Sequence, residues 1–176
     1  MTRYVALLRG INVGTAKQVA MTDLAACFER LGFTGVRTVL RSGNVVFDAA
    51  GAVDPLALER AIADATGVSA GVVVVDGARF RQIVAENPLA SVSSDPSRAL
   101  VYFLDEVPDD TGLGRPSDGD LLPERIAFGP HAIYQWCPDG ISESRVPPKF
   151  FTTLGTTATG RNLRTVEKIV ALLDAP

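Results

Sequence analysis

The residues best suited to chemistry follow the first apolar segment of the sequence. In "YVALLRGINVG", Tyr4–Gly14, an apolar run ends in an arginine, two glycines and an asparagine, and Lys17 comes three residues later. Glycines followed by a lysine raise the hypothesis of a phosphate-binding loop. The Walker pattern is not met, because the second glycine comes one place early and Lys17 does not follow it directly. The dinucleotide fingerprint G-x-G-x-x-G is also absent, so Gly10 and Gly14 are interpreted first as turn residues.

A second polar segment, "RSGN" at residues 41–44, joins two predicted strands as a hairpin turn. In a β-α-β-β order the first two strands run parallel, so the loop after the first strand and this turn emerge at the same end of the sheet. We call residues 9–17 and 41–44 together the rim, which is rich in hydrogen-bond donors and poor in acids. An alternative is a solvated edge of ordinary polar turns. The candidate ligand-binding residues of the rim are Arg9, Gly10, Asn12, Gly14, Lys17, Arg41, Ser42, Gly43 and Asn44.

A third cationic segment, "TGRNLRTVEK" at residues 159–168, is predicted to open the last helix. Arg161 and Arg164 fall in or beside its first turn, where the helix dipole disfavours cations, and Arg164 and Lys168 are like charges four residues apart. With free N–H groups and threonine hydroxyls, this composition fits an anion site at a helix N-terminus. The alternative is that the cations pair with acids of the polar segment 105–124. The candidate residues here are Arg161, Asn162, Arg164 and Lys168.

Groups for metal binding or nucleophilic catalysis are scarce in the sequence. The one histidine, His131, falls in a predicted hairpin turn and is interpreted as a solvated turn residue. Neither a paired-histidine metal site nor a Ser-His-Asp arrangement is therefore predicted. The acidic residues Asp118, Asp120 and Glu124 lack the spacing of a calcium loop and are interpreted as part of a solvated linker. We expect no metal and no cofactor.

Apolar periodicity predicts the elements that position these residues in the first half of the chain. The predicted elements are a strand at 3–9, a helix within 22–33, hairpin strands at 36–40 and 45–48, a helix within 54–67, a buried strand within 71–76 and a connecting helix at 78–86. The order of the first six, β-α-β-β-α-β, is that of a ferredoxin-like unit.

The second half repeats this pattern in degenerate form. Its predicted elements are a strand at 98–104, the polar segment 105–124 with at most one short turn around 118–122, a hairpin of "RIAF" and "AIYQW", a short helix at 148–154 and a helix at 162–173 in place of the last strand. We therefore predict an α+β fold of two tandem ferredoxin-like subdomains, residues 1–87 and 88–176, packed as one compact unit, with the second degenerate and ending in a C-terminal helix.

Composition limits the class of protein. The chain has 176 residues, of which 47% are hydrophobic and 21% charged, as in soluble globular proteins. Long apolar runs and a signal-peptide pattern are absent, which predicts a cytoplasmic protein without membrane contact. Cys27 and Cys137 lie far apart in sequence and in no metal-ligand spacing. The net charge of −3, together with the missing sheet-face aromatics of RNA-binding ferredoxin-like domains, argues against nucleic acid as a partner.

Four motifs in order resemble one known family: "YVALLRGINVG", "LGFTGVRTVLRSGNVVF", "ENPLA" and "TGRNLRTVEKI". They are similar to the uncharacterised bacterial proteins grouped as domain of unknown function 1697. The resemblance implies two tandem ferredoxin-like subdomains and no established activity. The chain departs from the family pattern at Gly160 and Leu163. The residues that match the family's motifs are Arg9, Gly10, Asn12, Val13, Gly14, Ser42, Gly43, Asn44, Asn87, Pro88, Thr159, Arg161, Asn162, Thr165 and Lys168.

Three hypotheses about function follow from these patterns. The first is a binding module that holds a small anionic or phosphorylated ligand at the rim. The second is an enzyme of unknown class, in which rim arginines stabilise charge and Ser42 or a bound water takes part in the reaction. The third is an interaction or structural protein without a ligand, forming a homodimer through exposed sheet edges.

Overall fold

The computed structural model describes residues 1–15, 17–106 and 117–175. The chain divides into a first unit, Met1–Arg81 with Glu167–Pro176, and a second unit, Gln82–Val166. Each unit contains a four-stranded sheet in which all neighbouring strands are antiparallel, so the predicted α+β class is confirmed. The predicted boundary after residue 87 stays a prediction. Within the described ranges, no helix has the length and apolar composition needed to span a membrane.

The first sheet has the strand order β2-β3-β1-β4. In chain order the elements are β1 (Thr2–Leu8), α1 (Met21–Arg30), β2 (Thr34–Val39), β3 (Asn44–Ala49), α2 (Pro55–Thr66), β4 (Val72–Asp76) and α3 (Gly77–Ala85). All seven elements predicted for this part of the sequence are present.

Strand β1 is central in this sheet, with β3 on one side and β4 on the other. Its last four residues, Val5–Leu8, are 0% exposed, which explains why both faces of the strand are apolar in sequence. Helices α1 and α2 contribute Phe28 and Ile62 to the core on one face. Helix α2 begins at Asp54, whose carboxylate accepts a hydrogen bond from the Leu56 N–H at 2.9 Å.

The second sheet has the strand order β6-β7-β5-β8. The elements are β5 (Ala99–Leu104), α4 (Asp118–Leu121), β6 (Arg125–Phe128), β7 (Ala132–Trp136), a 3₁₀ turn (Ile141–Glu143), α5 (Pro148–Thr152), β8 (Ala158–Asn162) and α6 (Leu163–Asp174). Residues 107–116 of the predicted polar segment lie outside the described residues. The predicted hairpin and the predicted short helix are present, and the predicted short turn around 118–122 is the four-residue helix α4.

The prediction that helix replaces the last strand of the second half is wrong. Strand β8 pairs with β5 along its whole length, and α6 begins only at Leu163. Gly160 lies opposite Tyr102, and a β-carbon on Gly160 would come within 2.8 Å of Cε1 of that ring. Glycine is therefore required by close packing. Because the strand consists of small and polar residues, its sequence carries no apolar alternation that would have predicted it.

The turn between β2 and β3 generates the first testable prediction. Gly43 has a φ of +74°, and a β-carbon there would lie 2.8 Å from both Leu8 Cβ and Ile11 Cδ1. We expect Gly43→Ala to lower the free energy of unfolding by about 2 kcal/mol, from left-handed strain and steric overlap. Gly51→Ala is the control, since no atom lies within 4 Å there and its φ is outside the left-handed region. Urea unfolding that finds the two variants equally stable would contradict the close packing.

Candidate functional site

The end of β1 brings three loops together at one end of the first sheet, where its strands stop. The backbone N–H of Leu8 donates to the carbonyl of Gly43 in the β2–β3 turn at 2.8 Å. On the other side of the strand, the N–H of Arg9 donates to the carbonyl of Gly71 at 2.8 Å, just before β4. The two rim segments are therefore neighbours. The segment 69–71 also reaches this edge, which the sequence patterns did not predict.

The side chain of Asn12 joins the two rim segments directly. Its Nδ2 donates to the carbonyl of Arg41 at 2.7 Å and to that of Val19 at 3.0 Å. Its Oδ1 accepts from the N–H of Val19 at 2.8 Å. The backbone N–H of Asn12 also donates to the carbonyl of Lys17 at 3.0 Å. One amide thus closes the loop after β1 and ties it to the hairpin turn.

Backbone strain is concentrated at the same edge. Among the described residues, the non-glycine positions with positive φ are Asn12 at 54°, Lys17 at 49° and Leu40 at 56°. Leu40 precedes the rim and exposes 47% of its surface, so core packing does not compensate its conformation. Left-handed residues other than glycine cost about 1–2 kcal/mol each. Such strain is often found at functional sites, which makes the rim a candidate.

None of the three cationic side chains of the rim pairs with an acid of the described residues. Lys17 Nζ donates to the carbonyl of Ser69 at 3.1 Å, and Arg41 Nη2 lies 3.4 Å from Oε1 of Gln18. The exposed guanidinium of Arg9 has no hydrogen-bond acceptor among the described residues. Other arginines of the described chain do lie within 4.0 Å of an aspartate, namely Arg3, Arg60, Arg81, Arg98 and Arg164.

The remaining polar rim residues shape the turn. Asn44 is fully buried, and its Nδ2 donates to the carbonyl of Val39 at 2.7 Å and to Oγ of Ser42 at 3.0 Å. This amide neighbour cannot act as a base toward the Ser42 hydroxyl. Asn12 and Asn44 therefore hold the rim in its conformation, whereas the cations face solvent at its surface.

An open cavity of about 330 Å³ with a mixed polar and apolar lining lies next to the rim. It was not predicted, because its residues belong to two segments that carry no motif. The Lys17 ammonium and the backbone N–H of Arg9 donate to carbonyls of the segment 69–71, which forms one of its walls. The residues lining the cavity are Glu59, Arg60 and Ala63 from α2, and Ser69, Ala70 and Gly71.

The candidates near the C-terminus belong to different elements from those predicted. Arg161 lies in β8 rather than in the first turn of α6, and it is only 8% exposed. Its Nη1 donates to Thr159 Oγ1 at 2.7 Å and to the carbonyl of Gly160 at 2.9 Å. Burial lowers the pKa of Arg161 to about 10. This arginine is part of the interior of the second unit.

The N-terminus of α6 is capped by the protein itself. Asn162 Oδ1 accepts from both the N–H and the hydroxyl of Thr165, at 3.0 and 2.9 Å. Arg164 lies 3.7 Å from Asp95, an acid of the segment between the sheets and not of the predicted partner segment 105–124. Lys168 is exposed on α6. The structure thus gathers the nine rim candidates at one edge of the first unit, whereas Arg161, Asn162 and Arg164 lie in the second unit.

A buried polar network in the second unit corrects the interpretation of Glu124 as a solvated linker residue. Glu124 is only 5% exposed, and its Oε1 accepts from Gln135 Nε2 at 2.5 Å and from Ser144 Oγ at 2.6 Å. Its Oε2 accepts from the backbone N–H of Arg145 at 2.7 Å. Through these hydrogen bonds the carboxylate connects the segment after the 3₁₀ turn to β7. A buried carboxyl group requires hydrogen-bond donors of this kind.

Cys137 belongs to this network, with its Sγ 3.6 Å from Glu124 Oε1. Burial and the nearby carboxylate raise the pKa of the thiol to about 12. Burial likewise raises the pKa of Tyr102, whose hydroxyl donates to Gln135 Oε1 at 2.7 Å. Since the thiolate is the reactive form of cysteine, this environment suits a structural thiol and not a nucleophile.

Comparisons with known proteins bear on the family to which the chain belongs. The family described as "Protein of unknown function (DUF1697)" matches residues 1–134. The chain belongs to this family. The structure of the conserved bacterial protein SP0830 from Streptococcus pneumoniae is similar to this family member over 98% of this chain and 99% of that chain, with 25% sequence identity and a TM-score of 0.71. Comparison with curated proteins gives no match. The resemblance predicted from the four motifs is confirmed, and no specific activity accompanies it.

The role of Asn12 can be tested by an isosteric exchange. In Asn12→Asp a carboxylate oxygen replaces the donor that faces the carbonyls of Val19 and Arg41. We expect the free energy of unfolding to fall by about 1–2 kcal/mol at neutral pH, because two hydrogen bonds become repulsive contacts. Gln18→Glu is the matched control in the same loop, because it loses only one exposed hydrogen bond, from Nε2 to the Gly14 carbonyl, and places its new charge beside Arg41. Urea unfolding in which Asn12→Asp is no less stable than Gln18→Glu would contradict this role.

The buried thiol predicts a loss of stability at alkaline pH. The unfolded chain releases the Cys137 proton near its ordinary pKa of 9.0, whereas the folded protein retains it up to about 12. The contribution to stability is thus complete below pH 9 and is lost as the pH rises toward 12. Urea unfolding at pH 8 to 11 should show a shallower decline for Cys137→Ser than for wild type. If the free energy of unfolding declined equally with pH in both proteins, this thiol would not contribute to the alkaline loss of stability.

Proposed function

We propose that the rim binds a small ligand through a phosphate group. The observation that carries this proposal is the set of three rim cations, Arg9, Lys17 and Arg41, none of which makes an ion pair with an acid of the described residues. The chain has 20 acidic and 17 basic residues, so acids are not scarce. Three positive charges at one edge repel each other, and a bound anion replaces that repulsion with attraction. A doubly charged phosphate matches them better than a single carboxylate.

The conformation of the rim favours such binding. Asn12 ties the two segments together, so little conformational freedom remains to be lost when a ligand binds. A β-carbon at Gly10 or Gly14 would have no atom within 4 Å, so the backbone there is accessible to a ligand. Arginine side chains donate paired hydrogen bonds to phosphate oxygens. Lysine adds a mobile point charge.

The proposal includes the finer description of the fold. Residues 1–87 and 88–176 are each taken as a ferredoxin-like subdomain, and the support is the strand order of the sheet that each contains. In both sheets the first and third strands in sequence are central and the second and fourth are at the edges. Antiparallel pairing throughout agrees with that topology. Cytoplasmic location and homodimer formation are not required for the proposal and stay predictions.

The proposal is tested by replacing rim arginines one at a time. We expect wild-type protein to bind inorganic phosphate in isothermal titration calorimetry at low ionic strength. Arg9→Ala and Arg41→Ala should each weaken binding about tenfold, the typical loss for one charge-assisted hydrogen bond. Binding should also weaken as salt is added, because exposed charges are screened.

Arg30→Ala is the matched control, since Arg30 is exposed in the last turn of α1 and away from the loops of the rim. This variant should bind phosphate as wild type does. If wild type does not bind phosphate, or if all three variants bind it equally well, the rim is not an anion site.

A further inference from the structure

We propose that the cavity beside the rim holds the hydroxyl-bearing part of a sugar phosphate whose phosphate is bound by the rim cations. This inference rests on the proposed function and adds the class of ligand. The cavity of about 330 Å³ is within the size range of small-ligand sites. Small residues, Ala63, Ser69, Ala70 and Gly71, form most of its lining and leave the space vacant for a ligand.

Glu59 supplies the acceptor that a sugar hydroxyl needs. Its Oε1 accepts the N–H of Val72 at 2.8 Å, which fixes the carboxylate at the cavity wall. Its second oxygen has no hydrogen-bond donor within the described part of the chain. Hydroxyl groups donate to a carboxylate in strong, charge-assisted hydrogen bonds. The fixed Glu59 is therefore suited to select a ligand with donors over a bare anion.

The same carboxylate determines the orientation of the ligand. Inside the cavity a phosphate group would meet the Glu59 carboxylate as well as the exposed Arg60 guanidinium, whereas the rim carries three cations, so the anionic end is placed over the rim. The backbone N–H of Arg9 donates to the carbonyl of Gly71, and the Lys17 ammonium donates to that of Ser69; both carbonyls belong to residues that line the cavity. One short backbone segment thus connects Lys17 and the start of the loop after β1 to the cavity. A ligand of two parts, phosphate and polyol, matches this arrangement.

The lining favours a sugar over a nucleotide. None of the six lining residues is aromatic, so a nucleobase would have no ring on which to stack. Polar and small side chains instead surround the space, as hydroxyl recognition requires. We therefore expect no additional affinity from a base.

The test compares four ligands by isothermal titration calorimetry: inorganic phosphate, D-ribose 5-phosphate, D-ribose and AMP. Two variants change the cavity alone. Glu59→Gln retains an oxygen that accepts the Val72 N–H but removes the carboxylate charge, and Ala63→Leu fills the space. Ala65→Leu is the matched control, because it adds the same side chain at an exposed position of the same helix outside the cavity lining. Thermal unfolding checks that each variant folds.

We expect wild type to bind D-ribose 5-phosphate about tenfold more tightly than inorganic phosphate, the gain typical of one charge-assisted hydrogen bond. AMP should bind no more tightly than D-ribose 5-phosphate, and D-ribose alone should bind weakly. Glu59→Gln and Ala63→Leu should remove most of this preference and leave phosphate affinity unchanged. Ala65→Leu should retain the preference.

The outcomes separate the two proposals. If phosphate binds and the rim variants weaken it, but the sugar phosphate has no advantage or retains it in both cavity variants, this inference fails and the proposed function stands. Tighter binding of AMP than of D-ribose 5-phosphate would also overturn the sugar class. Absence of binding by both inorganic phosphate and D-ribose 5-phosphate would overturn both proposals.

Discussion

The pairing of β1 on both of its edges is the constraint on which the candidate site depends. With β3 and β4 on either side and Val5–Leu8 fully buried, a shift of one residue would turn buried side chains to the opposite face. The chain therefore leaves the sheet at a fixed point, Arg9. The loop after β1, the β2–β3 turn and the segment before β4 all begin or end beside that point. The backbone positions of the rim cations therefore follow from the register of the sheet.

Side-chain hydrogen bonding and backbone strain at the rim nearly balance. Asn12 makes three side-chain hydrogen bonds, each contributing about 0.5–1.5 kcal/mol net. The left-handed conformations of Asn12, Lys17 and Leu40 cost about 1–2 kcal/mol each, and less for asparagine. The rim residues by themselves therefore give this conformation little net stabilisation. It is maintained by the ends of β1 and β3. Backbone strain that the rest of the fold must maintain is a reason to propose a function for the rim.

The sequence predicted the first sheet well because a buried strand and amphipathic helices leave periodic apolar patterns. It also predicted that the rim segments are neighbours, since this follows from strand direction. Strand β8 was missed because its small and polar residues leave no apolar alternation, and because its pairing partner β5 lies more than fifty residues earlier in the sequence. The burial of Glu124 and the cavity at Glu59 depend on residues distant in sequence converging in space, and for these the chain carries no local signal.

Two polar clusters of this protein differ in a way that bears on where a ligand would bind. In the second unit, Glu124 accepts from Gln135, Ser144, Cys137 and Arg145, which uses the acceptor capacity of a carboxylate. A ligand there would have to displace internal hydrogen bonds and leave buried groups unpaired. At the rim, the cations have neutral partners or none in the described chain, and they face solvent. An anion would add interactions at the rim, whereas at the buried network it would have to displace existing ones, and this difference supports the rim as the proposed binding site.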